Sequence, residues 1–262
     1  MIRFFRSIRQ GLVNEGKTSK YFRYAIGEII LVVAGILIAL QVNNWNIERA
    51  EAKLAQEYIQ RLVEDIERDI GNIDDRIRLA EIRVDLGQLI KDAVADDAIA
   101  LARRGEFLAA VKQVARVSSV YLSKDTFEEL RSTGYLRLLS SPLKSELFEY
   151  FSYYDERQIN SNSNQMLAHG FLEKSYKVLN FQHLDLDIPV AVPRNMAVIQ
   201  GMQVDATVVV EALNRIRNDS DILGSLEAVH DLQKREIRIN GNMRRWAERV
   251  LEALKAEQEG SN

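Results

Sequence analysis

The chain has 262 residues, 47% of them apolar, with 35 basic and 38 acidic side chains and a net charge of −3; this suffices for one packed domain and excludes wholesale disorder. There is no cysteine, so a disulfide framework and a cysteine-based metal site are both closed to it. Only 3 prolines and 13 glycines occur among abundant Arg, Glu, Ala, Leu and Ile, a balance that favours long helices over strands.

The charge is unevenly placed. Residues 1–24 hold six basic groups (Arg3, Arg6, Arg9, Lys17, Lys20, Arg23) against Glu15 alone, while the remainder carries 29 basic and 37 acidic groups. A large remainder of mixed, net acidic charge argues against nucleic-acid binding. Within residues 1–13, Ile2, Phe5, Ile8 and Leu12 alternate with the arginines, a basic amphipathic segment suited to an anionic leaflet. Residues 11–18, GLVNEGKT, fit the G-x-x-x-x-G-K-[ST] phosphate-loop pattern. That loop needs a buried strand before it and a helix after it, so that backbone N–H groups converge on phosphates. Here an amphipathic stretch precedes it and an apolar run begins within seven residues, leaving no room for a sheet. No nucleotide is expected.

Residues 25–42, AIGEIILVVAGILIALQV, are almost wholly apolar. As a helix they span roughly 27 Å, close to the ~30 Å hydrocarbon core of a bilayer. Tyr21, Phe22 and Tyr24 flank one end and Trp45 the other, as aromatic belts do. The basic excess lies on the N-terminal side, which the positive-inside rule places in the cytoplasm, with the rest periplasmic. No small-x-small pair follows closely enough for signal cleavage, so an uncleaved anchor is expected. Glu28, Val32, Gly35 and Ala39 share a face, and Gly35-x-x-x-Ala39 would let another helix approach closely. This is the candidate transmembrane interface with a second copy or a partner membrane protein; Glu28 itself, one turn from the cytoplasmic end, is expected to reach the headgroups rather than bond across that face.

Beyond Ile47, Leu54, Tyr58, Leu62, Ile66, Ile70, Ile73, Ile77, Ala80 and Val84 step by four and three, the mark of a long amphipathic helix to about Val94. It either continues from the membrane segment or restarts at Asn43, Asn44 or Asn46. A helix is expected at about 97–117. In DTFEELRSTGYLRLLSSP, Thr126 and Glu129 suggest a capping box, Gly134 a left-handed C-cap, and Ser141-Pro142 the start of a helix to about Leu179. Residues 181–195 form the main irregular connection, followed by helices near 203–218 and 221–257. The predicted fold is all-α: a single transmembrane helix and a long-helix antiparallel bundle. Its parts are a cytoplasmic basic segment (1–24), the membrane helix (25–42), a periplasmic bundle (43–257) and a flexible tail (258–262).

Chemistry is sparse. His169, His183 and His230 are not spaced as helical metal ligands, and His183, Asp185 and Asp187 could gather a metal only in an extended loop. No catalytic residue, metal or cofactor is expected. The candidate ligand pocket is Tyr150, Tyr154, Arg157, Asn160, Asn164 and Asn240, aromatics and amides of the kind that line clefts between helices. Gln233, Asn240 and Gly241 interrupt the apolar face of the last helix, and a polar layer would form if the two stretches met.

Residues 24–46, YAIGEIILVVAGILIALQVNNWN, resemble the opening of an uncharacterised family of short bacterial membrane proteins, a domain of unknown function, and the basic segment before it and TFEELRSTGYLRLL after it look similar too. The resemblance extends over most of the chain and implies a bacterial envelope setting, with no reaction or ligand to carry over. The expected role is a non-enzymatic inner-membrane protein whose periplasmic bundle mediates interaction or assembly. The alternative is a small-molecule sensory domain acting through a partner in the membrane.

Overall fold

The structure is a computed structural model and describes residues 18–117, 119–179 and 203–260; the side chains of 18–21, 24 and 159–162 lie outside that description. The basic segment, the phosphate-loop pattern through Lys17, the His183 cluster and the proline-containing connection fall outside it as well. Among the described residues the chain is helical with no strand. The elements are α1 (Thr18–Ala95), α2 (Asp97–Ala102), α3 (Arg104–Gln113), α4 (Asp125–Thr133), a 3-10 turn (Tyr135–Leu138), α5 (Ser141–Val178), α6 (Ala206–Arg217) and α7 (Ser220–Gly260).

Two compact units divide at Glu57, inside α1. In the first, Met1–Glu57, α1 is apolar on every side over residues 29–40: Leu31 is 69% exposed, and Ile29, Ile30, Ile36, Leu37, Ile38 and Leu40 are similarly open. An 18-residue window near its start has mean hydropathy 2.5 and none of it is buried. A helix apolar all round and covered by nothing fits a membrane anchor. Asn43, Asn44 and Asn46 lie within α1 and cap no restart. Arg49 sits 5.7 Å from the Trp45 ring.

The second unit, Tyr58–Asn262, is a bundle in which α7 runs antiparallel to both α1 and α5. Lys255–Glu67 (3.1 Å), Arg244–Asp74 (2.6 Å) and Lys91–Glu227 (2.8 Å) set its register on α1. Arg249–Glu146 (2.7 Å) and Lys174 Nζ donating to Ser225 Oγ (2.8 Å) set it on α5. The buried faces step by three and four: Ile59, Leu62, Ile66, Asp69 and Ile73 on α1, and Leu226, Val229, Gln233, Glu236, Asn240, Met243 and Ala247 on α7. Such a seam is the knobs-into-holes pattern of long bundles.

One apolar cluster joins Leu89, Ile90 and Ala93 of α1 to α3, the end of α5, α6 and the start of α7. Outside it Leu62, Ile66, Leu143, Leu147, Val250 and Leu254 are also buried, and Phe127 stacks on Phe151 at 4.6 Å. Each fully buried Leu, Ile or Phe contributes about 1.5–3 kcal/mol. Between these stretches of α1 and α7 the seam turns polar.

Several boundaries differ from expectation. The helix expected at 97–117 is two helices, because the backbone of Arg103 leaves the helical region (φ −125°) while its guanidinium pairs with Glu106. Thr126 is no cap: α4 begins at Asp125 and Thr126 is buried in its first turn, while Glu129 instead accepts from Tyr58 (2.8 Å) and Arg61 (2.6 Å). Gly134 is the left-handed C-cap (φ 76°). The cap of α5 is Ser140, one residue earlier than expected; its Oγ accepts from Leu143 N–H and donates to Glu257. Asp96, Asp205 and Asp219 cap α2, α6 and α7 by accepting first-turn N–H groups.

Candidate functional site

Three helices change character at the same level of the bundle. On α1 the seam carries Asp69, Arg76 and Arg83, spaced by sevens; on α5 it carries Arg157 and Asn164; on α7 it carries Gln233, Glu236 and Asn240. Tyr150 Oη donates to Asp69 Oδ2 at 3.1 Å. From that contact, equal steps along the two helices bring Arg76 level with Arg157 and Arg83 level with Asn164. The two interrupted stretches, on α5 and α7, thus do meet.

Glu236 is the hub. Its carboxylate, whose side chain is 7% exposed, accepts from Arg157 Nη2 at 2.5 Å and from Asn164 Nδ2 at 3.0 Å. Arg83 also feels this carboxylate, yet its guanidinium is held down to about 10, chiefly by burial and then by the charges of Arg116 and Arg76. Arg157 and Arg83 thus both act on one buried glutamate, with Arg116 and Arg76 close to Arg83. Arg157 Nη1, Arg116 Nε, Arg76 Nε and Asn240 Oδ1 are buried without a hydrogen-bond partner. Buried arginine N–H groups left unmatched are costly, which makes this layer unlike the exposed ion pairs elsewhere.

An open cleft of about 180 Å³ reaches the layer from one side, lined by Val117, Ser119, Val120, Tyr153, Glu156, Arg157, Gln158, Asn164, Glu236 and Ile239. The extended residues after α3 form one wall, fixed because Val120 O accepts from Tyr154 Oη (3.3 Å) and Gln158 Nε2 (3.1 Å). Gln233 Nε2 ties the preceding backbone to α7 by donating to Val114 O and Arg116 O. Tyr153 stacks on Trp246, and Arg249 covers that ring at 4.4 Å.

Below the cleft Asp69 is fully buried, accepting from Ser123 N–H (2.8 Å) and Tyr150. Burial raises its carboxyl to about 6, against the pull of those two hydrogen bonds. Above it, the His230 ring packs against Gly87 with both nitrogens unpartnered, and burial lowers its pKa, helped by Lys234 and Lys91.

Of the residues singled out from the sequence, Arg157 and Asn164 line the cleft and Asn240 lies one turn from Glu236. Tyr150 and Tyr154 are buried and donate to Asp69 and Val120, so they support the wall and do not face the opening. The side chain of Asn160 lies outside the described residues. Glu28, Val32, Gly35 and Ala39 fall on α1 in the first unit, and a Cβ at Gly35 would meet nothing within 4 Å. Sequence reading missed Asp69, Arg76, Arg83 and Glu236. The available signal was a charge at every seventh position of an otherwise apolar seam. Among the described residues no cluster of three metal-binding side chains occurs.

No curated protein and no solved structure matches the chain. The family described as "Family of unknown function (DUF6090)" matches residues 28–124. That stretch holds most of the apolar run together with Asp69, Arg76, Arg83 and Arg116, and it stops short of residues 126–139, which the sequence resemblance had included. Over residues 28–124 the chain is similar to this family of unknown function.

Proposed function

We propose that the chain is a single-pass protein of the bacterial inner membrane, N-terminus cytoplasmic and bundle periplasmic, and that the bundle is a non-enzymatic module for interaction or assembly. One observation carries the membrane part: an apolar window of mean hydropathy 2.5 with none of it buried. Leaving that many Ile, Leu and Val side chains in water forgoes about 1.5–3 kcal/mol each, and lipid restores it. The basic excess before the window supports the sidedness. Fusion of alkaline phosphatase after Asn262 tests it: the reporter is expected to be active and the protein to resist carbonate extraction. An inactive reporter would reject the sidedness, and extraction by carbonate would reject the anchor. For the interaction role, crosslinking in intact cells is expected to capture one recurrent envelope protein. That capture should be lost in Gly35→Leu, which bulks the Gly35/Ala39 face. Capture unchanged by Gly35→Leu would discard that face as the contact.

A second reading has its own support. The cleft at Arg157 is open, mostly apolar with a few polar groups (Arg157, Asn164, Glu236), and held by a braced wall, as expected of a bundle that takes a small molecule between its helices.

A further inference from the structure

We propose that the stretch of α1 leading from the apolar run to the bundle pairs with a second copy of this chain, parallel and in register, along Leu40, Asn43, Ile47, Ala50 and Leu54. The inference rests on the anchored reading above and names a partner for its assembly role.

Spacing comes first. From Ile29 to Leu40 no side chain is polar, so spacing there selects nothing. Past Val42 polar residues return: Asn44, Asn46, Glu48, Arg49, Glu51 and Lys53. Trp45, at the edge of the apolar run, lies under Arg49. The large apolar residues left are Ile47 and Leu54, seven positions apart. Alternating steps of three and four join them to Ala50, Asn43 and Leu40, and continue back through Ile36, Val33 and Ile29. That alternation is the seam of a two-stranded coil, and it runs for roughly 38 Å of helix. The next step is Glu57, and Tyr58 already belongs to the bundle.

Exposure comes second. Residues 43–50 are all exposed, Ile47 to 49%. A lone helix in water draws little stability from its own turns and gains it by burying such a stripe.

Two features choose a second copy as the occupant. Copies held by the same anchor enter the bilayer in one orientation and at one depth, so Ile47 meets Ile47. The seam also carries no charge from Ile29 to Leu54, so identical residues face each other without repulsion. Its one polar member, Asn43, has an amide that both donates and accepts and can therefore bond to its own counterpart, a device that fixes register in parallel coils. Gly35 lies about 130° round the helix from the middle of this seam, which leaves the Glu28/Gly35 face for a different protein.

The natural chain has no cysteine, so single cysteines test the contact in membranes holding the full protein. A disulfide needs Cα atoms within about 7 Å, which only facing positions satisfy. Under mild oxidation, Ile47→Cys, Ala50→Cys and Leu54→Cys should shift most of the chain from 30.0 kDa to twice that mass, while Glu48→Cys and Ala52→Cys should stay largely monomeric. Ile47→Asp added to Ala50→Cys sets two carboxylates face to face outside the bundle and should abolish the shift; Gly35→Leu should leave it unchanged. No shift at any seam position, or equal shifts at Glu48 and Ala52, overturns the proposal. So does a maximum at Arg49→Cys, or a loss with Gly35→Leu, either of which would move the contact to the other face. Carbonate extraction of the same membranes separates the two readings. A protein that resists extraction but does not crosslink keeps the anchor and rejects the pairing; one that is extracted yet crosslinks at the seam keeps the pairing and rejects the anchor.

Discussion

Asp69 offers the sharpest energetic test. The carboxyl is fully buried, and burial raises it from 3.8 to about 6. Folding therefore tightens its hold on a proton, so its contribution to stability is fully present below pH ~4 and is lost as pH rises through 6. A shift of about two units at ~1.36 kcal/mol each makes that loss about 3 kcal/mol. Asp69→Asn cannot titrate. Its amide still offers one oxygen to Ser123 N–H or Tyr150 Oη, and the second donor is left facing an NH2 group, a fixed cost of about 1–3 kcal/mol at every pH. The parent-minus-variant difference should therefore fall by about 3 kcal/mol between pH 4 and 7, reaching zero or changing sign, while all other titrating groups cancel. Urea unfolding of the detergent-solubilised chain in a Trp45→Phe background, read through Trp246, measures it. A parent-minus-variant difference that stays flat over that range would refute the reasoning.

Further expectations rest on the same geometry. Glu236→Leu leaves Arg157 buried without its carboxylate and should lose about 3–5 kcal/mol by urea titration, whereas Glu236→Leu with Arg157→Leu should lose less than the single change. Gly71→Ala, exposed in mid-helix with open space at its Cβ, should gain about 1 kcal/mol in thermal melts. Gly87→Ala should fail to gain, because its Cβ would stand 3.2 Å from the His230 ring and 3.3 Å from Val114. Ser140→Ala removes the side-chain cap of α5 and should cost about 1 kcal/mol in urea titration, Glu257 still accepting from the backbone N–H of residue 140.

The long helices were readable because apolar residues spaced by three and four over many turns fit an amphipathic helix and little else. The all-α bundle follows from it, as does the final helix within a few residues. Helix ends were less readable. Ser140 and Ser141 are equally good caps on paper, and only the reach of Ser140 to both Leu143 N–H and Glu257 decides between them. Thr126 and Glu129 have capping-box spacing, but Glu129 is drawn away by Tyr58 and Arg61, some 70 positions distant in sequence. The site was half legible. Arg157, Asn164 and Asn240 stood out as polar residues beside aromatic or apolar runs. Arg76 and Arg83 did not, because on a helix so rich in charge an arginine reads as surface until its position in the sevenfold count is noticed.

That count has a mechanical consequence. Helices whose apolar steps repeat evenly can slide past one another by a whole heptad and still bury oil against oil. Here such a slide along α7 would carry Glu236 away from Arg83 and Arg157 and leave cations facing Val229 or Met243. The band of charge in the middle of the bundle works as a notch, so that three smooth rods have one place to stop.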